Sequence, residues 1–267
     1  MRRKTLRVGL VVPSSNTTME TEIPEMFRRA ESSLGLRVTF HSSRMRLLAV
    51  TPEELKKMDA HADRCALELA DAGVDTLAYA CLVAVMSQGP DYAEVLEKRL
   101  AAVSDEGMKV VTSACALIEG IRALGARRVS LIAPYASELT AMVVDCIEQS
   151  GIEVIDAISL EVTDNRQVGE LDPMALVDVV KKLNVRGADA VVLSACVQMP
   201  SLEAIPVVEA TLGIPVLSAA TATTYEILNS LGLPTVVPGA GALLATERPG
   251  HSRTNRRNSL KRRGVRR

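Results

Sequence analysis

This chain says the same thing twice. "RVGLVVPSS" from Arg7 returns as "RVSLIAPYA" from Arg128, "GVDTLAYAC" from Gly73 as "GADAVVLSAC" from Gly187, and "GMKVVTSAC" from Gly107 as "GIPVLSAAT" from Gly213. Each is a run of apolar, largely β-branched residues that breaks off into small or polar ones, the pattern of a buried strand leaving a parallel sheet. Three pairs in the same order argue two copies of a four-strand α/β unit, divided near Ala126. Amphipathic helical patterns fill the gaps, so the expected fold class is α/β, with two pseudo-symmetric domains, each a four-stranded parallel sheet flanked by helices. "TPEELKKMDAHADRCALELADAG" reads as one helical stretch, opened by Thr51 as N-cap with Pro52 in the first helical position and closed by Gly73; Gly125 and Gly232 repeat that stop.

The topology also predicts where a ligand goes. In open parallel sheets ligands bind beyond the carboxyl ends of the strands. "PSSNTT", "YACLVA", "TSAC", "PYAS" and "SACVQM" all follow strands and share that edge. Two such units face to face would enclose a small polar pocket.

Composition removes several alternatives. With 267 residues and 48% hydrophobic content the chain can fill one large or two ordinary cores. Aromatics are 2% with no Trp, which argues against a stacking platform for bases. The net charge of −1 hides an asymmetry: nine Lys or Arg and one acid from Glu247 onward give that tail +8 and leave −9 for residues 1–246. The tail (247–267) has few apolar residues and is expected to be disordered, with nucleic-acid binding confined to it if it occurs at all. Five cysteines without a C-x-x-C pair fit neither a disulfide framework nor a zinc ribbon. "MRRKTLR" is followed by too short an apolar run for a signal peptide, and no stretch reaches the length of a membrane span, so a cytoplasmic location is expected.

Cys81 and Cys196 are the leading candidates for chemistry. They occupy matching places in the repeat, each between a strand and a turn. Exposed backbone amides there are expected to lower a thiol's pKa. Two opposed thiols suit removal and return of a proton, or attack by one with proton donation by the other. Cys65 and Cys146 lie inside helical patterns and read as core, and Cys115, whose counterpart is Thr221, reads as near the site at most. Of Ser14, Ser15, Asn16, Thr17 and Thr18, one is expected to cap a helix starting near Met19, leaving surplus donors for a carboxylate. Tyr135 occupies the mirrored loop, and Asn165 is either a turn residue or part of the site. "GAGALLA" from Gly239 lacks the third glycine of a dinucleotide fingerprint and reads as a loop or helix start. His41, His61 and His251 have no metal-ligand spacing, so no metal is expected.

On "VPSSNTTMETEIP", "YACLVA", "APY" and "SACVQMPS", residues 5–246 resemble the maleate cis-trans isomerase family of the aspartate/glutamate racemase superfamily. The resemblance implies a cofactor-free enzyme acting on a small dicarboxylate in the cleft between two α/β domains. It assigns Cys81 as nucleophile and Cys196 as acid/base, with Asn16, Tyr135 and Asn165 on the substrate carboxylates. Ser14, Leu82, Val83 and Val197 are expected beside them. The implied domains are residues 1–111 with 220–246, the last helix and strand returning to the first unit, and residues 112–219. Racemases of the superfamily carry hydroxyl or amide residues after their cysteines, where this chain has Leu82 and Val197, and arylmalonate decarboxylases work with one cysteine at the second position. Another racemase or decarboxylase of the superfamily, or a diacid-sensing module, is the alternative. A homodimer or higher homo-oligomer is expected.

Overall fold

The apolar runs pair as the repeat requires. The structure, a computed structural model, describes residues 5–89, 91–103 and 108–245, so the basic tail lies outside the described residues. Strands β1 (Thr5–Pro13), β2 (Arg37–Met45), β3 (Thr76–Tyr79) and β4 (Lys109–Thr112) form one parallel sheet in the order β2-β1-β3-β4. Strands β5 (Arg128–Ala133), β6 (Glu153–Ser159), β7 (Ala190–Ser194) and β8 (Val216–Ser218) form the second in the matching order β6-β5-β7-β8. The three repeated pairs are thus β1 and β5, β3 and β7, and β4 and β8. The fourth pair, β2 and β6, is the pair the sequence did not display as a repeat. Unlike the other edge strands β4 and β8, which are largely buried, these two are largely exposed or half-buried, so their sequences are free to diverge.

Helices cover the sheets because each turns an apolar stripe inward. The first half carries α1 (Met19–Leu34), α2 (Pro52–Asp59), α3 (Ala62–Asp71), α4 (Leu82–Met86), α5 (Tyr92–Ala101) and α6 (Ser113–Ala123). The second carries α7 (Ser137–Gln149), α8 (Asn165–Glu170), α9 (Leu176–Val179), α10 (Ile205–Leu212) and α11 (Ala219–Leu231). Val8, Leu10, Val11 and Val12 on β1 have no exposed surface, and removing one such side chain, as in Leu10→Ala, is expected to cost about 2–5 kcal/mol.

Two local expectations are corrected. The stretch from Thr51 to Gly73 is two helices, not one: Thr51 Oγ1 does accept from Glu54 N at 3.3 Å, but the chain turns at Ala60 and His61. The break sits beside the buried Asp59, which accepts from Tyr79 Oη at 2.7 Å, from Tyr92 Oη and from Arg99 at 3.0 Å. Helix α11 is followed not by a strand but, among the described residues, by a loop ending in a single 3₁₀ turn, Ala242–Leu244. Pro234 and Pro238 break the run, and Val237 N closes the loop on Leu244 O at 2.8 Å. "GAGALLA" accordingly is a loop and a turn.

Helix α11 lies against α6, α1, β3 and β4. A Cβ on Gly120 would stand 3.1 Å from that of Ala222, so glycine at this point lets α6 and α11 approach closely. The hydroxyls of Thr223 and Ser113 meet across the seam at 3.1 Å, and Ser113 Oγ donates to Tyr79 O at 3.1 Å. Among the described residues no helix is long and apolar enough to cross a membrane.

Candidate active site

The carboxyl ends of β1, β3, β5 and β7 converge on one cavity of about 30 Å³, lined by residues of both halves. Cys81 enters from the end of β3, and Cys196 from the end of β7. Asn16 comes from the β1–α1 turn, Tyr135 from the β5–α7 turn and Asn165 from the first position of α8. Leu82, Val83 and Val197 line it as well. All eight of these residues are at most 8% exposed. Among the described residues no charged side chain lines the cavity.

The polar turn after β1 is more divided in its work than its sequence suggests. Asn16 caps α1 through Oδ1, which accepts from Met19 N at 3.1 Å, while its Nδ2 is buried without a hydrogen-bond partner. Asn165 likewise has a buried Nδ2 without a partner. Two amide donors that nothing among the described residues satisfies, on residues lining one cavity, point to acceptors on a ligand. Thr18 Oγ1 donates instead to Gln198 O at 2.7 Å, and Ser15 accepts from Gln198 Nε2 through O at 3.3 Å and Oγ at 3.4 Å. Thr17 is exposed. Ser14 does not line the cavity; its Oγ accepts from Leu47 N at 3.1 Å and so pins the β2–α2 loop, whose Leu47 and Val50 close the cavity. Ser14 lines an adjoining surface pocket together with Asn165.

Burial disfavours the thiolate at both cysteines. Burial pushes Cys81 up to about 12, against the pull of one backbone N–H, that of Ala84; the neighbouring Cys196 and Asp59 push the same way. The lowered pKa expected from exposed amides is therefore reversed. Burial removes more solvation from a thiolate than one amide restores. Burial raises Cys196 as well, opposed by the Tyr135 hydroxyl and by the backbone N–H groups of Gln198, at 3.4 Å, and Met199. The single Tyr135 hydroxyl proton has Ala195 O as its other acceptor, at 3.3 Å, and burial holds the group well above the usual tyrosine range, so it serves as a donor and not as a charge.

The other cysteines sort as follows. Cys65 is fully buried, as expected of a core residue, whereas Cys146 is only half-buried at the core's edge. Cys115 does not line the cavity; its N–H is capped by Thr112 Oγ1 at 3.3 Å. Sequence reasoning missed Gln198, which lines the cavity and whose Nε2 also donates to Asn165 O, joining the β1–α1 turn to α8. It missed the apolar cover of Leu47, Val50, Leu55, Val162 and Val168 too. Their only signal was proximity to strand ends, which does not say which loop folds over which.

Comparison with known proteins agrees with this geometry. A family model described as arylmalonate decarboxylase matches residues 8–244. A maleate isomerase from Geobacillus stearothermophilus is 59% identical over 246 residues, covering 91% of this chain and 98% of that protein. Among solved structures, a cysteine-to-alanine variant of the maleate isomerase from Pseudomonas putida S16 with maleate has a TM-score of 0.90 at 52% identity, covering 92% of this chain and 99% of the other. A cysteine-to-serine variant of the Nocardia farcinica maleate cis-trans isomerase with a covalently bound succinylcysteine intermediate has a TM-score of 0.86 at 46% identity, covering 90% and 98%. With that identity over nearly whole chains, and one cysteine from each repeat in a shared cavity, the chain belongs to the maleate isomerase family, within the wider arylmalonate decarboxylase group.

Proposed function

We propose that this protein isomerises maleate to fumarate through a succinyl group carried on Cys81, with Cys196 moving the proton. The observation that carries the reading is the pair of thiols in one cavity with two unsatisfied amide donors, those of Asn16 and Asn165. Maleate presents two carboxylates on the same side of a double bond that cannot rotate. The active form holds Cys81 as thiolate and Cys196 as thiol. The Cys81 sulfur bonds to C2 while Cys196 gives its proton to C3, so C2–C3 becomes a single bond and the negative charge passes to Cys196. Rotation about that bond follows. Cys196 then takes back a C3 proton, the C–S bond breaks, fumarate leaves and Cys81 is a thiolate again.

The obstacle is charge, since a thiolate must meet a dianion in a cavity that no cation among the described residues lines. Neutral donors answer it. Asn16 Nδ2, Asn165 Nδ2 and the Tyr135 hydroxyl can stabilise carboxylate charge in low dielectric without pairing with and quenching the thiolate. The apolar cover leaves the amide and hydroxyl donors as the polar groups that meet a bound acid. The succinylcysteine held by the Nocardia farcinica cysteine-to-serine variant supports the view that one cysteine can bond to carbon when another is lost. All five cysteines are free thiols, which supports a reducing, cytoplasmic setting.

Proton NMR of the purified protein with maleate tests the reading. Growth of the fumarate vinyl signal is expected, and a spectrum that stays unchanged, or loses a carboxylate, overturns it.

A further inference from the structure

Helix α1 does more than present Asn16. Thr18 and Glu22 are one helical turn apart and share a face, and both reach across to the segment that carries Cys196. Thr18 Oγ1 donates to Gln198 O at 2.7 Å. Glu22 Oε1 accepts from two successive backbone groups, Ser201 N at 2.6 Å and Leu202 N at 2.7 Å, where the chain turns toward α10. The N–H of Met199 lies between these two anchors and that of Gln198 just before the first, and both donate toward the Cys196 sulfur. Ser194 Oγ fastens the same turn from below, donating to Cys196 O at 2.8 Å. The loop after β7 is thus held from the opposite half of the molecule, at the turn whose geometry sets the second thiol.

We propose that Glu22 is a positioning residue for catalysis, a latch from the first half of the molecule that fixes the Cys196 turn against Cys81. It touches neither substrate nor sulfur. Its work is done by one oxygen as an acceptor of two N–H groups, so the charge is dispensable and the acceptor is not. A carboxylate at this point serves because two adjacent N–H groups at the start of a turn are orphans that need an acceptor. The inference rests on Cys196 being the proton carrier, and its test includes a measurement that needs no substrate.

The experiment compares Glu22→Ala, Glu22→Gln and Thr18→Val in the full chain. The first readout is the alkylation rate of each cysteine by iodoacetamide, followed by peptide mapping. Loosening the latch is expected to change the rate at Cys196 several-fold, on the order of the tenfold effects that small misplacements produce, and to leave Cys81 unaltered. With maleate, Glu22→Ala is expected to lower kcat by about 10- to 100-fold with little change in KM, and to accumulate succinylated protein by intact mass. Glu22→Gln keeps the acceptor and is expected to recover most of kcat. Thr18→Val should show the same pattern more weakly, and it carries the test if Glu22→Ala does not fold. Folded variants in which both cysteines change alike, in which neither changes, or in which Glu22→Gln is as impaired as Glu22→Ala overturn the latch. A wild-type protein inactive on maleate overturns the functional reading instead, while the alkylation rates still decide whether Glu22 positions Cys196.

Discussion

Cys81 and Cys196 leave equivalent strands at the same edge of equivalent sheets, yet the two turns are built differently. Cys81 runs directly into the short helix α4 and receives one backbone donor, from Ala84, with Asp59 beneath it. Cys196 runs into a non-helical turn, receives two backbone donors and the Tyr135 hydroxyl, and is anchored from the other half by Thr18 and Glu22. The difference begins in the repeat itself, where Ser14 stands opposite Tyr135: the serine is spent on Leu47, the tyrosine reaches the sulfur. A duplicated scaffold thereby gives two thiols with unlike surroundings. Cys81, with fewer donors on its sulfur, keeps more of its nucleophilicity once ionised. The well-donated one accepts and returns charge more readily, as a proton carrier must.

The hardest test of that contrast is to remove each sulfur. Cys81→Ser is expected to abolish both turnover and covalent adduct, because a serine hydroxyl is scarcely ionised at neutral pH. Cys196→Ser should lower turnover by about 10²- to 10⁴-fold, the range for loss of a general acid/base, while intact mass shows one succinyl group that peptide mapping places on Cys81. Succinylation mapped to Cys196, or near-normal turnover in Cys81→Ser, would invert the roles.

A smaller effect is expected at the carboxylate donors. Asn16→Asp keeps an oxygen to cap α1 but replaces the inward-facing Nδ2 by an acceptor, so the thermal midpoint should hold while kcat/KM falls about 10- to 100-fold. Asn16→Ala should in addition lose the cap, at about 1 kcal/mol of stability. Asn165→Asp should match Asn16→Asp in kinetics. If either aspartate variant binds maleate normally, its amide does not hold a carboxylate.

The mildest perturbation is one of ionisation. Only thiolates alkylate, so a thiol raised to about 12 should react with iodoacetamide about tenfold faster per pH unit and reach no plateau below about pH 9. Cys196, with three opposing donors, should bend at lower pH than Cys81. Tyr135→Phe removes one of those donors and should move the Cys196 curve to higher pH, leaving that of Cys81 in place. Overlapping curves for the two cysteines in the unaltered protein would show that the contrast between the turns has no electrostatic consequence.

Much of the architecture was written in local pattern. Buried parallel strands must be continuous apolar runs, so β1, β3, β4 and their partners could be found and matched, and the two cysteines with them. The edge strands β2 and β6 escaped because a half-buried strand has less to conserve between copies. The break between α2 and α3 escaped because it depends on Asp59 meeting Tyr79, Tyr92 and Arg99, none of them its neighbours in sequence. In the turn after β1, the sequence announced a surplus of donors without saying where each would go.

The sequence by itself determined the fold class, the strand edge at which a ligand binds and the two thiols placed there, since these follow from periodicity and from a repeat. Tertiary structure alone decided the rest. It gave Ser14 to Leu47 and Asn16 to both a helix and a cavity, brought Gln198 and Glu22 into the support of Cys196, and raised the Cys81 thiol where its position before a helix suggested the opposite. Hydrogen-bond partners and solvation belong to groups far apart in the chain: a thiol's pKa depends on how much water the packed halves leave around it, and no local pattern records that.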